Sequence, residues 1–134
     1  MQPDALFDVM RTRRSIRRYA DRPVGGEAVV RLLEAAIWAP SAHNRQPWRF
    51  VAIQTEAVKL ALAEAMGARL RADRLADGDP PEAVEADAVR SRARMAASPV
   101  VVAVCLSMAD MDSYPDTRRK KAEYLMAAQS VAMA

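Results

Sequence analysis

The sequence predicts a layered protein of the α/β or α+β class, in which helices pack against a small sheet. Two short runs of strand-forming residues, Trp48 to Gln54 and Val100 to Leu106, stand between segments that have helical periodicity. The 134 residues, 51% of them hydrophobic, suffice for one globular domain, and we expect that domain to span residues 1–134.

The first half of the chain contains two predicted helices with an arginine-rich segment between them. Asp4 is a candidate cap for the first helix, whose apolar face comprises Leu6, Phe7, Val9 and Met10. Six of the twelve residues in segment 11–22 are arginine. After a turn at residues 23–26, the spacing of apolar residues predicts a second helix from Glu27 to Ala39, which Pro40 ends.

Two further helices are predicted between the strands. Thr55 is a candidate cap for the first of them, which extends to about Ala76. The segment from Asp77 to Pro81 combines glycine, aspartate and proline, so we expect a surface loop there. The second helix, Glu82 to Ala97, has few large apolar residues, which indicates a position on the surface or against a partner.

The second strand and the last helix complete the predicted elements. The run from Val100 to Leu106 lacks alternation, which is typical of a strand buried on both faces, and Cys105 is expected to be a core residue. The last helix begins near Asp116, with an apolar stripe formed by Tyr124, Leu125, Ala128, Val131 and Ala132. Because two strands make a poor sheet and no helix-ending signal follows, we expect a piece of a longer protein.

Composition limits the cellular compartments and the classes of binding partner that fit this chain. A net charge of +3 is mild, but the clustered arginines of segment 11–22 favour a phosphate-bearing partner, because a guanidinium binds two oxygens at once. The single cysteine excludes an intramolecular disulfide, and neither a signal sequence nor a long apolar run is present. We therefore expect a cytoplasmic protein with no membrane partner. No cluster of cysteine and histidine has the spacing of metal ligands, so no metal site is predicted.

Two segments carry the side chains best suited to a ligand. In an extended chain Arg13, Ser15 and Arg17 face the same side and can hold a phosphate and a sugar hydroxyl. Between residues 39 and 49, two prolines frame hydroxyl, amide and imidazole groups, which suits a polar, planar ligand. Within this loop we interpret His43 as a surface or hydrogen-bonded residue in preference to a substrate contact. We interpret Trp48 as an anchor that packs the loop onto the core.

Together the two segments resemble the flavin-dependent nitroreductase family. The family's Arg-Arg-Ser-x-Arg motif is present from Arg13 to Arg17. Its Pro-Ser-x-x-Asn-x-Gln-Pro-Trp motif is matched at Pro40, Ser41, Asn44, Gln46, Pro47 and Trp48. The resemblance implies an α+β fold, a nitroreductase-like layered sheet with flanking helices that a homodimer completes. It also implies that the C-terminal part of the family fold is absent from this chain.

By the same resemblance, FMN binds between two subunits. Its phosphate end is expected at Arg13, Arg14, Ser15 and Arg17. The flavin is expected to be lined by Pro40, Ser41, Ala42, Asn44 and Gln46, with Ala42 standing where many relatives carry a second serine. The implied activity is hydride transfer from NAD(P)H through the flavin to a small acceptor such as a nitroaromatic compound or a quinone. The chemistry is the cofactor's, so no catalytic side chain is assigned.

Two alternatives to this oxidoreductase remain open. The arginines of segment 11–22 also suit a small nucleic-acid-binding module, although only 5% of the residues are aromatic and the 17 acidic residues nearly balance the 20 basic ones. The second alternative is that the chain is a non-catalytic, dimerising remnant of the family.

Overall fold

Five helices and two strands form residues 3–134, which is the part of the chain that the computed structural model describes. In chain order they are α1 (Pro3–Thr12), α2 (Gly26–Ala36), a short 3₁₀ turn (Ala42–Asn44), β1 (Trp48–Ile53), α3 (Glu56–Ala76), α4 (Pro81–Ala97), β2 (Val101–Leu106) and α5 (Thr117–Met133). The predicted number and order of helices and strands are confirmed. None of the helices described is both long and apolar enough to cross a membrane.

The two strands pair antiparallel, which places the fold in the α+β class. Their register runs from Trp48 opposite Leu106 to Ile53 opposite Val101. The pairing continues one step beyond the strands, where the Ser107 amide donates to the Pro47 carbonyl at 2.8 Å. Pro47 and Trp48 are both buried, so the chain that precedes β1 is fixed against the core at this point.

Helices α3 and α4 form an antiparallel hairpin whose turn chemistry matches the sequence prediction. Gly78 has φ +88°, a conformation that glycine adopts without a Cβ penalty, and Pro81 is the first residue of α4. The α4 side chains Val84 and Ala88 are buried. The helix that we expected on the surface or against a partner therefore packs on α3 of the same chain.

Ion pairs flank the seam of this hairpin. Both Arg71 nitrogens that face Glu85 donate to its carboxylate, at 2.6 and 2.9 Å, and Arg74 contacts both Asp79 and Asp87. Hydrogen bonds from Arg71 and Arg74 hold the pKa values of Glu85 and Asp87, respectively, below their usual range. The pairs are partly exposed to solvent, so they orient the two helices more than they stabilise them.

Two predicted boundaries at the start of the chain were wrong. Asp4 lies inside the first turn of α1 and is not its cap. Helix α2 ends at Ala36, three residues before the predicted end at Ala39, and the chain continues through single turns at Ile37 and Trp38. The reason is Pro40, which disfavours helical backbone at the residue before it.

The predicted burial of β2 and α5 was also wrong. Cys105 is exposed, and Val104 is 45% exposed where it lines an apolar groove of about 600 Å³. No described element covers the sheet at these two positions, and β2 pairs with β1 alone. On α5, the predicted stripe residues Tyr124 and Leu125 are about half exposed. The buried side of α5 consists of Glu123, Ala127 and Ser130.

Candidate functional site

The loop between α2 and β1 has an unusual backbone. His43, Asn44 and Gln46 have φ values of 49°, 52° and 49°, which lie in the left-handed region. Asn and His adopt this region more readily than most residues, whereas a glutamine there is uncommon. Three such residues within four positions are stable only when surrounding contacts hold them, and clusters of this kind occur at ligand-binding sites.

Hydrogen bonds within the loop close it on itself. The amides of Asn44 and Arg45 donate to the carbonyls of Ser41 and Ala42, each at 3.0 Å. The Ser41 hydroxyl accepts from the Gln46 amide at 3.1 Å. The hydroxyl keeps its own hydrogen for a further partner, so Ser41 can shape the loop and also donate to a ligand.

The loop is also tied to distant parts of the chain. The Ala42 amide donates to the Ser130 hydroxyl on α5 at 3.1 Å. Before α5, Asp112 accepts from Arg45 at 2.5 Å and lies 3.4 Å from His43 Nδ1. The Asp112 amide in turn donates to the buried Glu123 carboxylate at 3.1 Å. Helix α5 therefore holds the loop both directly and through Asp112.

Sequence reasoning missed the three residues outside the loop that hold it in place. Asp112, Glu123 and Ser130 belong to no motif, and their partners lie far away in the chain. One signal was available: Glu123 and Ser130 are spaced two helical turns apart, which places both on one face of α5. That face was overlooked because a stripe of larger apolar residues competed with it.

The side chains of the loop divide into two sets. His43 and Arg45 turn to Asp112, and the His43 side chain is 68% exposed, so the interpretation of His43 as a surface residue is favoured over a substrate contact. The side-chain amides of Asn44 and Gln46 are exposed and make no hydrogen bond within residues 3–134. They are free to pair with a ligand, and that this ligand is a flavin stays a prediction. Trp48, 5% exposed, is confirmed as an anchor.

The remaining predicted loop residues border the same exposed face. Pro40 is exposed, while Ser41 and Ala42 are half-buried. Beside them, Ala39 and Trp38 line the apolar groove between α2, the sheet and α5. The five predicted flavin-lining residues thus lie within segment 40–46, which directly follows two residues that line the groove, although none of the five lines it.

The predicted phosphate-binding segment lies after α1 in exposed, irregular chain. The Arg14 guanidinium donates to the carbonyls of Arg11 and Arg13, at 2.8 and 3.0 Å. In the part of the chain that is described, Arg13, Arg14 and Arg17 form no ion pair. Their charges are available to an anionic ligand, and Ser15 is exposed between them.

Within one chain the two segments border different cavities. Arg17 lines a groove of about 350 Å³ together with Arg94 of α4, and no residue of the loop contributes to it. The loop instead adjoins the apolar groove of about 600 Å³. That the two segments meet across two subunits stays a prediction.

Comparison with known proteins decides the family. The sequence model of the nitroreductase family matches residues 10–134. The chain belongs to this family. Over 53 residues it is 55% identical to an NADH dehydrogenase of Thermus thermophilus, a match that covers 40% of this chain and 26% of that protein. Over 67 residues it is 36% identical to the provisionally named NAD(P)H nitroreductase YfhC of Bacillus subtilis, covering 50% and 34%, respectively.

Solved structures of the nitroreductase fold match nearly the whole chain. A provisionally named nitroreductase of Desulfovibrio desulfuricans, in complex with FMN, has a TM-score of 0.55 and 27% identity over 99% of this chain and 62% of that chain. A BluB-like flavoprotein of Clostridium difficile has a TM-score of 0.65 at 20% identity, over 96% and 64%, which shows the shared fold alone. This chain thus spans about three fifths of those proteins. The family and fold class that the two motifs predicted are confirmed.

Proposed function

We propose that this protein is an FMN-dependent oxidoreductase that passes a hydride from NAD(P)H through the flavin to a small acceptor, such as a nitroaromatic compound or a quinone. The observation that carries the proposal is the loop before β1, which is held in a left-handed conformation with the amides of Asn44 and Gln46 free and exposed. The FMN complex of the related Desulfovibrio protein supports flavin as the ligand.

The loop fits the polar edge of a flavin ring. That edge alternates N–H donors and carbonyl acceptors, and a side-chain amide offers both kinds of group. Asn44 and Gln46 would pair with it, Ser41 would donate its free hydroxyl hydrogen, and Pro40 and Ala42 would line the ring. The fixed backbone orients these groups before the ligand arrives, so little ordering is needed on binding.

The arginine segment fits the phosphate end of the same cofactor. Arg13, Arg14 and Arg17 are exposed guanidiniums free of ion pairs with the described residues, and Ser15 supplies a hydroxyl for the ribityl chain. FMN, when bound, would supply the hydride chemistry, while the protein binds and orients it. No side chain is assigned a catalytic role.

A homodimer with FMN at the subunit interface would bring the two segments together. Two apolar surfaces support this arrangement. The α1 residues Phe7, Val9 and Met10 are each more than 60% exposed, and Trp38 beside the loop is 86% exposed. Large apolar side chains with this degree of exposure are often found at interfaces. We further propose that residues 1–134 form one FMN-binding domain and that the protein works in the cytoplasm.

Reconstitution with FMN tests the proposal. The purified protein should be yellow or become so with added FMN, with a flavin spectrum that denaturation releases, and it should oxidise NADH or NADPH when a quinone or nitroaromatic acceptor is present. Colourless protein that ignores added FMN would refute the proposal, and salt-sensitive binding of DNA in its place would favour the nucleic-acid module. Bound FMN without turnover of either nicotinamide would indicate the non-catalytic remnant.

A further inference from the structure

Ser130 on α5 makes two hydrogen bonds with different consequences. It is 1% exposed, and its hydroxyl donates to the Met126 carbonyl at 2.8 Å, a bond that helical serines commonly make within their own helix. The same oxygen accepts from the Ala42 amide at 3.1 Å. This second bond contributes nothing to the helix, because it reaches a loop residue 88 positions earlier in the chain.

The second bond is located where the loop leaves ordinary backbone geometry. Ala42 directly precedes His43 and Asn44, the first two left-handed residues. The other ties of the loop, from Arg45 to Asp112 and from Gln46 to Ser41, are exposed to solvent, whereas the bond to Ser130 is partly buried. Solvent can replace the exposed bonds at little cost, whereas the partly buried bond of the Ala42 amide is harder to replace.

We infer that Ser130 is a positioning residue for the cofactor site. Its hydroxyl fixes the position of the Ala42 backbone at the start of segment 42–46. It thereby holds the side-chain amides of Asn44 and Gln46 in the orientation that FMN requires. This role toward FMN rests on the proposed function. The ordering of the loop by Ser130 stands on the hydrogen bond alone and can be measured without a ligand.

Two variants separate positioning from general stability. Ser130→Ala removes the acceptor for the Ala42 amide. Ala127→Gly, at a fully buried position one turn earlier, weakens the same helix but leaves the acceptor for the Ala42 amide in place. Hydrogen exchange is measured on both variants without FMN, with rates scaled to the α3–α4 hairpin. In Ser130→Ala the amides of segment 42–46 should exchange about tenfold faster, and in Ala127→Gly they should exchange at the wild-type rate.

FMN titration, followed by quenching of flavin fluorescence, completes the test. Ser130→Ala should raise the Kd for FMN about tenfold, and Ala127→Gly less than about twofold. Unchanged exchange of segment 42–46 in Ser130→Ala, or equal losses of FMN affinity in the two variants, would overturn the inference while leaving the proposed function intact. Wild-type protein that binds no FMN would overturn the proposed function and this role toward FMN, and the exchange rates would still decide whether Ser130 orders the loop.

Discussion

Replacing Gln46 with glycine should have opposite effects on stability and on FMN binding. Gln46 has φ 49°, where an L-residue is disfavoured by about 1–2 kcal/mol because its Cβ crowds the following carbonyl oxygen. Glycine has no Cβ and adopts this conformation freely. The wild-type glutamine therefore imposes strain on the folded state, which a residue kept only for stability would not do.

The magnitude follows from what glycine gains and loses at this position. Relief of about 1–2 kcal/mol is offset by about 0.5–1 kcal/mol, because glycine has more backbone freedom to lose on folding. The Gln46 side chain is exposed and makes no hydrogen bond in the described structure, and the bond from its amide to Ser41 is kept. The net gain is about 0.5 kcal/mol in the free energy of unfolding, or about 2 °C in Tm.

FMN binding should change in the opposite direction. Gln46→Gly removes a side-chain amide that we assign to the flavin edge, and the loss of one such hydrogen bond should weaken FMN binding about fivefold. Thermal denaturation without FMN and an FMN titration give the two quantities on the same samples.

A matched control is Ser113→Gly. Ser113 is an exposed loop residue outside the left-handed region, so glycine there should lower the free energy of unfolding by about 0.5–1 kcal/mol and leave FMN affinity unchanged. If Gln46→Gly lost as much stability as this control, the left-handed conformation at position 46 would be refuted. If it bound FMN as tightly as the wild type, the role of the amide would be refuted.

Three other predictions concern the phosphate site and the helical hairpin. Arg17→Ala should weaken FMN binding about tenfold, whereas Arg69→Ala, which makes the same charge change at an 80%-exposed site on α3, should not; equal effects would indicate a general charge effect. Because Arg71 of α3 lowers the pKa of Glu85 in the folded protein, the unfolded chain binds more protons in acid than the folded chain does. The stability from this pair should be fully present above the ordinary glutamate pKa of about 4.5 and be lost as pH falls further. Glu85→Gln should therefore lose less stability than the wild type between pH 7 and pH 3, and an equal loss would show that the pair contributes nothing to stability. Val84→Ala, at a buried position, should reduce the free energy of unfolding by about 2 kcal/mol. The control Val89→Ala, at a half-exposed position, should reduce it by less than about 0.5 kcal/mol. Similar losses for the two variants in chemical denaturation would contradict the packing of α4 on α3.

Local signals explain why much of the fold was predictable. The loop from Asp77 to Pro81 and the strand that begins at Trp48 depend on residues that determine the backbone within a few positions, and both appear where expected. The burial of β2 was not predictable in the same way. An apolar run indicates that its residues are suited to burial, but whether Cys105 is covered depends on which other elements pack there.

The site shows the same division between local and distant causes. Asn44 and Gln46, which we propose contact FMN, could be selected from the sequence because a ligand-binding group must have a particular chemistry, and chemistry is visible in a motif. Ser130 could not, because its task is to satisfy a backbone N–H, and any nearby acceptor on any element can do that. The identity of such a residue follows from the packing of α5 against the loop, so only the folded chain reveals it. A sequence motif therefore indicates the groups that we propose meet the cofactor, and the three-dimensional structure is needed to find those that hold them in place.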